Sequence, residues 1–447
     1  MCPVHFSRRV ERLRPSSIRE MMAIAKQLGT EGVTVYELNM GQPDIEGIPV
    51  FSEAITERVK DRHCYYSPFW GENFLRESYA KYLNHYFDRR GVKHLIVEKE
   101  NVIVTVGASQ ALCNTFLALC DPGDEILCIE PFFPVYPGFL GVAEGILRTV
   151  PTYAEEDFVL PPFERLEMYI TPRTRGILFN SPNNPSGKIF TSKEVTRLAK
   201  LALKYDLWII ADEVYREMIF GENEAFSLLQ VDLSPDEMEK FKHRAIVIDS
   251  ASKSFALTGT RIGFVVSRPE IIEKIALINA HTIASVSDVI QYGVAKAYEH
   301  VLEDPMFFQE MRKTYRERLH AALESVKEFF PGVIAPRPDG AFYLMLQFPE
   351  VDDISEYAMF LLKNFKLDNE TVAIAPAAGF YQTPGRGKNE VRLALVVDPE
   401  KIRRAIFLMR KAWDEFADFL KSQGRGFSPK DNRLGGKSKS DREEVNY

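Results

Sequence analysis

Lys253 stands between two serines in Asp249-Ser250-Ala251-Ser252-Lys253-Ser254, directly after the apolar run Ala245–Ile248, and Arg261 follows eight residues later. An amine at the end of a buried strand is partly stripped of water. That lowers its pKa and suits it to nucleophile and base work near neutral pH. Four other apolar runs end in a similar way. Leu207–Ala211 (LWIIA) passes into Asp212-Glu213-Val214-Tyr215, where a buried acid needs a cationic partner. Gly176–Phe179 (GILF) passes into Asn180-Ser181-Pro182-Asn183-Asn184-Pro185-Ser186-Gly187. Glu125–Ile129 (EILCI) passes into Glu130-Pro131-Phe132-Phe133, and Val102–Val106 (VIVTV) into Gly107-Ala108-Ser109-Gln110. Taken singly, each has a plainer reading: Gly-Ala-Ser as a helix cap, Asn-Asn-Pro-Ser-Gly as a turn, Phe133 as core, a lone lysine as a solvated one. Together they gather an anion site, an aromatic, an amide, an acid, a phenol, a lysine and an arginine. Turn chemistry alone does not account for that.

The runs that carry these residues are short, continuously apolar and rich in branched side chains, as strands covered on both faces of a largely parallel sheet must be. A sixth candidate strand is Gly263–Val266, and amphipathic stretches such as Ser192–Tyr205 lie between the strands. Alternation of this kind predicts an α/β architecture, in which ligands bind at the carboxyl ends of the strands. After Pro305 the pattern changes. A charged helix over Met306–Phe330, apolar segments Ala341–Leu346, Thr371–Ala375 and Glu390–Val397, and a last helix over Pro399–Leu420 predict a smaller α+β domain. The expected division is an N-terminal segment, 1–45, whose helix near Ile18–Leu28 packs with the small domain; a large domain, 46–300; the small domain, 301–423; and a flexible tail, 424–447, where apolar residues nearly vanish.

A chain of 447 residues exceeds what one hydrophobic core usually serves, in keeping with two domains. Its net charge of -7 argues against broad nucleic-acid or anionic-membrane binding. There is no apolar run of bilayer-spanning length and no signal-like N-terminus. The five cysteines form no C-x-x-C pair and the eight histidines have no metal-ligand spacing. A soluble cytoplasmic protein with reduced thiols and no metal is expected.

In order and spacing, Asn39-Met40-Gly41-Gln42-Pro43-Asp44, Tyr65-Tyr66, Gly71, SPNNPSG, DEVY, SKSFALTGTRIG and Asn389-Glu390-Val391-Arg392 resemble the class I/II aminotransferases, enzymes of fold type I that depend on pyridoxal 5′-phosphate. The resemblance runs from about Ser16 to Trp413. It implies a large cofactor-binding domain with a mostly parallel sheet plus a smaller α+β domain, and a ping-pong transfer of the amino group of an L-amino acid to a 2-oxo acid. It further implies that Lys253 carries the cofactor as a Schiff base and shuttles the proton, and that Asp212 pairs with the pyridine nitrogen. Tyr215 and Asn184 are implied donors to the ring oxygen, and Phe133 is implied to stack on the ring. The backbone of Gly107, Ala108 and Ser109, with Ser250 and Arg261, would cradle the phosphate, joined by Tyr66 from the partner subunit of a homodimer. Arg392, with Gly41 and Asn184, would take the substrate α-carboxylate. A carbon–sulfur β-lyase or an elimination like that of aminocyclopropane-carboxylate synthase uses the same residues and stays open at this point.

The sequence departs from the aspartate-specific pattern. Some such relatives carry a lysine at the position of Ser109, and others an arginine in the region aligned with His281–Asp288. Neither is present. A neutral or aromatic donor is therefore expected to serve at least as well as aspartate.

Overall fold

The computed structural model describes residues 17–61, 65–92, 95–221 and 225–425, together with 6–7 and 10–11. Residues 426–447, which hold nearly all of the expected tail, lie outside that set, as do Cys2 and Cys64. The first strand, β1 (Thr34–Glu37), follows a helix over Ser17–Thr30. Then come β2 (Val102–Val106), β3 (Glu125–Ile129), β4 (Ile146–Val150), β5 (Thr174–Asn180), β6 (Trp208–Asp212), β7 (Ala245–Ser250) and β8 (Ile262–Val266). These last seven form one sheet in the order β2-β8-β7-β6-β5-β3-β4.

Pairing is parallel from β4 across to β7, whereas β8 runs antiparallel to both β7 and β2. The carboxyl ends of β2, β3, β5, β6 and β7 therefore share one edge. The reversed β8 brings its amino end, with Arg261, to that same edge. Side chains alternate between two cores: Ile177, Ile209 and Val247 enter one, and Leu178, Ile210 and Ile248 the other. With both faces covered, the strands read as unbroken apolar runs. Burial of each Val, Leu or Ile contributes roughly 1.5–3 kcal/mol.

The helix over Ser192–Lys204 starts at a capping box in which Thr191 and Glu194 satisfy each other's end of the first turn. Beyond a long helix, Met306–Phe329, lie β9 (Tyr343–Gln347), β10 (Glu370–Ala373), β11 (Ala375–Pro376) and β12 (Glu390–Ala394). β9, β12 and β11 form an antiparallel sheet with β12 in the middle. β1 pairs in parallel with β10, so the N-terminal segment is built into this second unit. Asp44 adds a bidentate ion pair to Arg318 of the long helix, at 2.6 and 2.8 Å. The strand β4, the strand β1 and a helix over Ser355–Lys363 were not anticipated from the sequence.

Candidate active site

Lys253 lies on a single helical turn, Ala251–Ser254, that begins where β7 ends. Ser250 caps that turn, its oxygen accepting from the amide of Ser252 at 3.0 Å while its hydroxyl donates to the carbonyl of Ile262 at 2.7 Å. The Lys253 ammonium donates to the carbonyl of Gly41 at 2.7 Å and has the rings of Phe342 and Tyr215 at 5.5 and 5.9 Å. Burial, and then the positive charges of Arg392 and Arg261, pull its pKa down to about 7. Near neutral pH a large share of this amine is therefore unprotonated.

Asp212 ends β6 with 4% of its surface exposed. Its carboxylate accepts from the hydroxyl of Tyr136 at 2.5 Å and from the amide of Val214 at 3.4 Å. Desolvation raises its pKa to about 6 against the opposing pull of those two donors. A buried carboxyl so placed gains from a cation brought beside it. The backbone around it is tied down by Asn180, whose amide donates to the Asp212 carbonyl at 2.7 Å and accepts from the amide of Asn184 at 2.7 Å.

Arg392 sits on the central strand β12, between Met345 of β9 and Ala375 of β11, and is 3% exposed. Its guanidinium donates to the side-chain oxygen of Asn184 at 3.2 Å and to the carbonyl of Asn39 at 2.5 Å. The rings of Tyr343 and Phe380 lie 4.5 and 5.1 Å from it. Its Nε is buried with no hydrogen-bond partner. Among the described residues no carboxylate pairs with Arg392, and burial lowers its pKa. An enclosed guanidinium without a counter-charge is costly unless an anion completes it.

All but one of the remaining predicted residues fall around this centre. Gly107 opens a helix over Gly107–Leu119 with φ +72°, and no side chain caps that helix. A Cβ on Gly107 would meet the Arg261 guanidinium at 2.4 Å, and one on Gly263 would meet the Gly107 carbonyl carbon at 2.3 Å. Both glycines thus let the first turn, with Ala108 and Ser109 half-buried, close onto β8 and Arg261. Arg261 itself is exposed. Phe133 is half-buried and meets Tyr136 edge to face. Tyr66 is set apart, with 90% of its surface exposed on its own chain.

Three contributors were not singled out in the sequence. Tyr136 lies three residues beyond Phe133, so reading that strand end a little further would have included it. The Asn39 carbonyl lies inside the quoted N-terminal motif but carries no side-chain signal. Tyr343, whose hydroxyl is 2.9 Å from that of Tyr215, was only one letter of an apolar run.

The fold has counterparts in solved aspartate aminotransferases and is type I of the pyridoxal-phosphate-dependent transferases. The chain belongs to the class I and II aminotransferases, whose family model matches residues 33–407. That family depends on pyridoxal phosphate, and the chain is an aminotransferase. It is similar to the aspartate/prephenate aminotransferase of Thermus thermophilus, at 32% identity over 401 residues covering 90% of this chain and 96% of the other. It is also similar to aromatic-amino-acid aminotransferase 2 of Thermococcus litoralis, at 30% identity over 419 residues, 92% of this chain and 98% of the other. The structure of the T. thermophilus aspartate aminotransferase with maleate matches with a TM-score of 0.81 at 31% identity, covering 92% of this chain and 100% of that one. Among the described residues no helix is long and apolar enough to cross a membrane, and no cluster could hold a metal ion.

Proposed function

We propose that this aminotransferase holds pyridoxal 5′-phosphate at Lys253 and binds the α-carboxylate of its amino-acid and 2-oxo-acid substrates at Arg392. The observation that carries this reading is a pair of desolvated cations, Lys253 and Arg392, with no carboxylate partner among the described residues. The residues also fit the cofactor. Lys253 is an amine poised near neutrality, Asp212 a buried acid with no cation beside it among the described residues, and the amides at the start of Gly107–Leu119, beside Arg261, an anion cradle. When bound, the cofactor supplies an aldehyde that condenses with amines and a conjugated ring that takes up the electrons released at the substrate Cα. Asp212 would keep a proton on the ring nitrogen, Tyr215 and Asn184 would donate to the ring oxygen, and Phe133 would lie against the ring. Lys253, once freed by the substrate amine, would take up and return the proton at the substrate Cα.

The similar proteins described above are aminotransferases, which favours transamination over β-lyase or elimination chemistry. Treating the enzyme with borohydride and mapping the modified peptide should place the pyridoxyl group on Lys253. A label on another lysine would overturn the assignment.

Tyr66 is proposed to reach the phosphate of the partner subunit in a homodimer. Its 90% exposure, next to Tyr65 at 76%, gives an aromatic surface suited to burial against another chain. A Tyr66→Ala mutant and a Lys253→Ala, Arg261→Ala double mutant, each impaired on its own, should regain activity when mixed into hybrid dimers, because one of the two shared sites is then free of all three substitutions. Heterodimers that form and stay inactive would show the site is not shared. Reduced thiols and the acidic net charge support a cytoplasmic setting.

A further inference from the structure

Tyr215 and Tyr343 are both buried, at 4% and 1% exposure, with their hydroxyls 2.9 Å apart. Two phenols that share one hydrogen bond have two protons between them, so one proton is left to point elsewhere. Either hydroxyl can be the donor in that contact, and the surroundings of the two rings bear on which proton is the free one. The Tyr343 hydroxyl is pressed against Gly41, where a Cβ would lie only 2.1 Å from the oxygen. The Gly41 carbonyl is already taken by Lys253. Its ring is held under the Arg392 guanidinium at 4.5 Å and edge-on to Tyr215, at 79° and 5.8 Å between centroids. Tyr343 thus has Tyr215 as its hydrogen-bond partner and little room to turn away. Tyr215 follows β6 and has the Lys253 ammonium 5.9 Å from its ring, so it is the phenol that faces the reacting groups.

We infer that Tyr343 is a positioning residue whose hydroxyl donates to Tyr215, aiming the Tyr215 proton at the ring oxygen of the cofactor and linking that bond to the carboxylate site at Arg392. The inference rests on the reading that Tyr215 donates to that oxygen. A phenol that accepts a hydrogen bond is a stronger donor in turn. The groups around the Lys253 ammonium are the Gly41 carbonyl and the rings of Tyr215 and Phe342, and not Tyr343. The effect of Tyr343 passes through Tyr215, while its ring and the constraint at Gly41 let the N-terminal segment and β12 sense the same group.

The test is a pH titration of the visible absorbance of the bound cofactor in the holoenzyme, where a donor to the ring oxygen lowers the midpoint. Tyr343→Phe keeps the ring under Arg392 and removes only the hydroxyl. Loss of one hydrogen bond of ordinary net strength should raise the midpoint by about 0.5–1 pH unit. Tyr215→Phe should raise it further, and Tyr343→Phe in that background should add nothing. Replacing residue 343 with 3-fluorotyrosine, a more acidic phenol of nearly the same shape, should move the midpoint down. A midpoint that shifts in Tyr215→Phe but stays put in both residue-343 variants would overturn the inference and leave the role of Tyr215 intact. If Tyr215→Phe itself leaves the midpoint unchanged, the role of Tyr215 fails and the inference with it.

Discussion

Asp212→Asn is expected to bind the cofactor, keep the fold and lose a factor of roughly 100–1,000 in kcat, the range seen when a preorganised electrostatic partner is removed from a reacting centre. The amide matches the carboxylate in shape and still accepts from Tyr136, so the geometry at the end of β6 survives. It cannot hold a proton on a ring nitrogen, and the electrons released at the substrate Cα then lack their sink. Near-normal turnover would mean that Asp212 only braces the sheet end.

The same variant has a second signature in the cofactor-free protein, and its sign follows from linkage. The carboxyl of Asp212 has a folded pKa of about 6, above its ordinary value of 3.8. Between these pH values the folded state binds more protons than the unfolded one, so Asp212 makes stability fall as pH rises through that window. Above it the penalty is constant, on the order of 3 kcal/mol for about two units at 1.36 kcal/mol each. Melting of the cofactor-free proteins should therefore show the difference between Asp212→Asn and wild type moving in favour of the variant from about pH 4 to 6, then flattening. Bound cofactor should cancel this gain, because its ring nitrogen supplies the missing cation. A difference that does not change with pH would remove the buried carboxylate from the account.

The sheet was legible because its strands are covered on both faces. Continuous runs such as VIVTV and EILCI announce themselves, and their bounds agree with β2 and β3. β4 was not, since it lies at the sheet edge, pairs with β3 alone, and carries Arg148 and Thr149 in ILRTV. β1, with the sequence TVYE, is short and owes its existence to β10, more than 300 residues away. The residues at the strand ends could be read together because a parallel sheet brings them to one edge whatever the lengths of the helices between. Contacts between side chains and carbonyls far apart in the chain have no such rule. Tyr136 meets Asp212 across 76 positions, Tyr343 meets Tyr215 across 128, and the Asn39 carbonyl meets Arg392 across 353. No local pattern encodes these pairings; only the packed molecule shows that Tyr343 lies between the phenol and the guanidinium.

Arg392→Ala should lower kcat/KM for every substrate alike, since the α-carboxylate is common to all of them. Truncating one partner of a buried charge pair costs about 2–5 kcal/mol. At 1.4 kcal/mol per decade the loss is roughly 30-fold to several thousand-fold. Cofactor absorbance should survive, because Arg392 contacts Asn184, Asn39 and the rings of Tyr343 and Phe380 and not the Gly107–Arg261 cradle. Loss of cofactor together with activity would assign Arg392 to the fold and not to the substrate. The substrate side chain is a separate matter. Position 109 holds a serine in place of a lysine, and the stretch from His281 to Asp288 contains no arginine to clamp a second carboxylate. On the physics of the site, a neutral or aromatic donor should match or exceed aspartate in single-turnover half-reactions. Strong preference for aspartate over alanine, methionine and phenylalanine would refute this and direct attention to Arg386. That guanidinium stacks 4.2 Å from the Tyr153 ring, donates to the Thr152 carbonyl at 2.9 Å and keeps a buried Nε without a partner. Arg386→Leu would then abolish the aspartate preference while sparing alanine, and the clamp would be located.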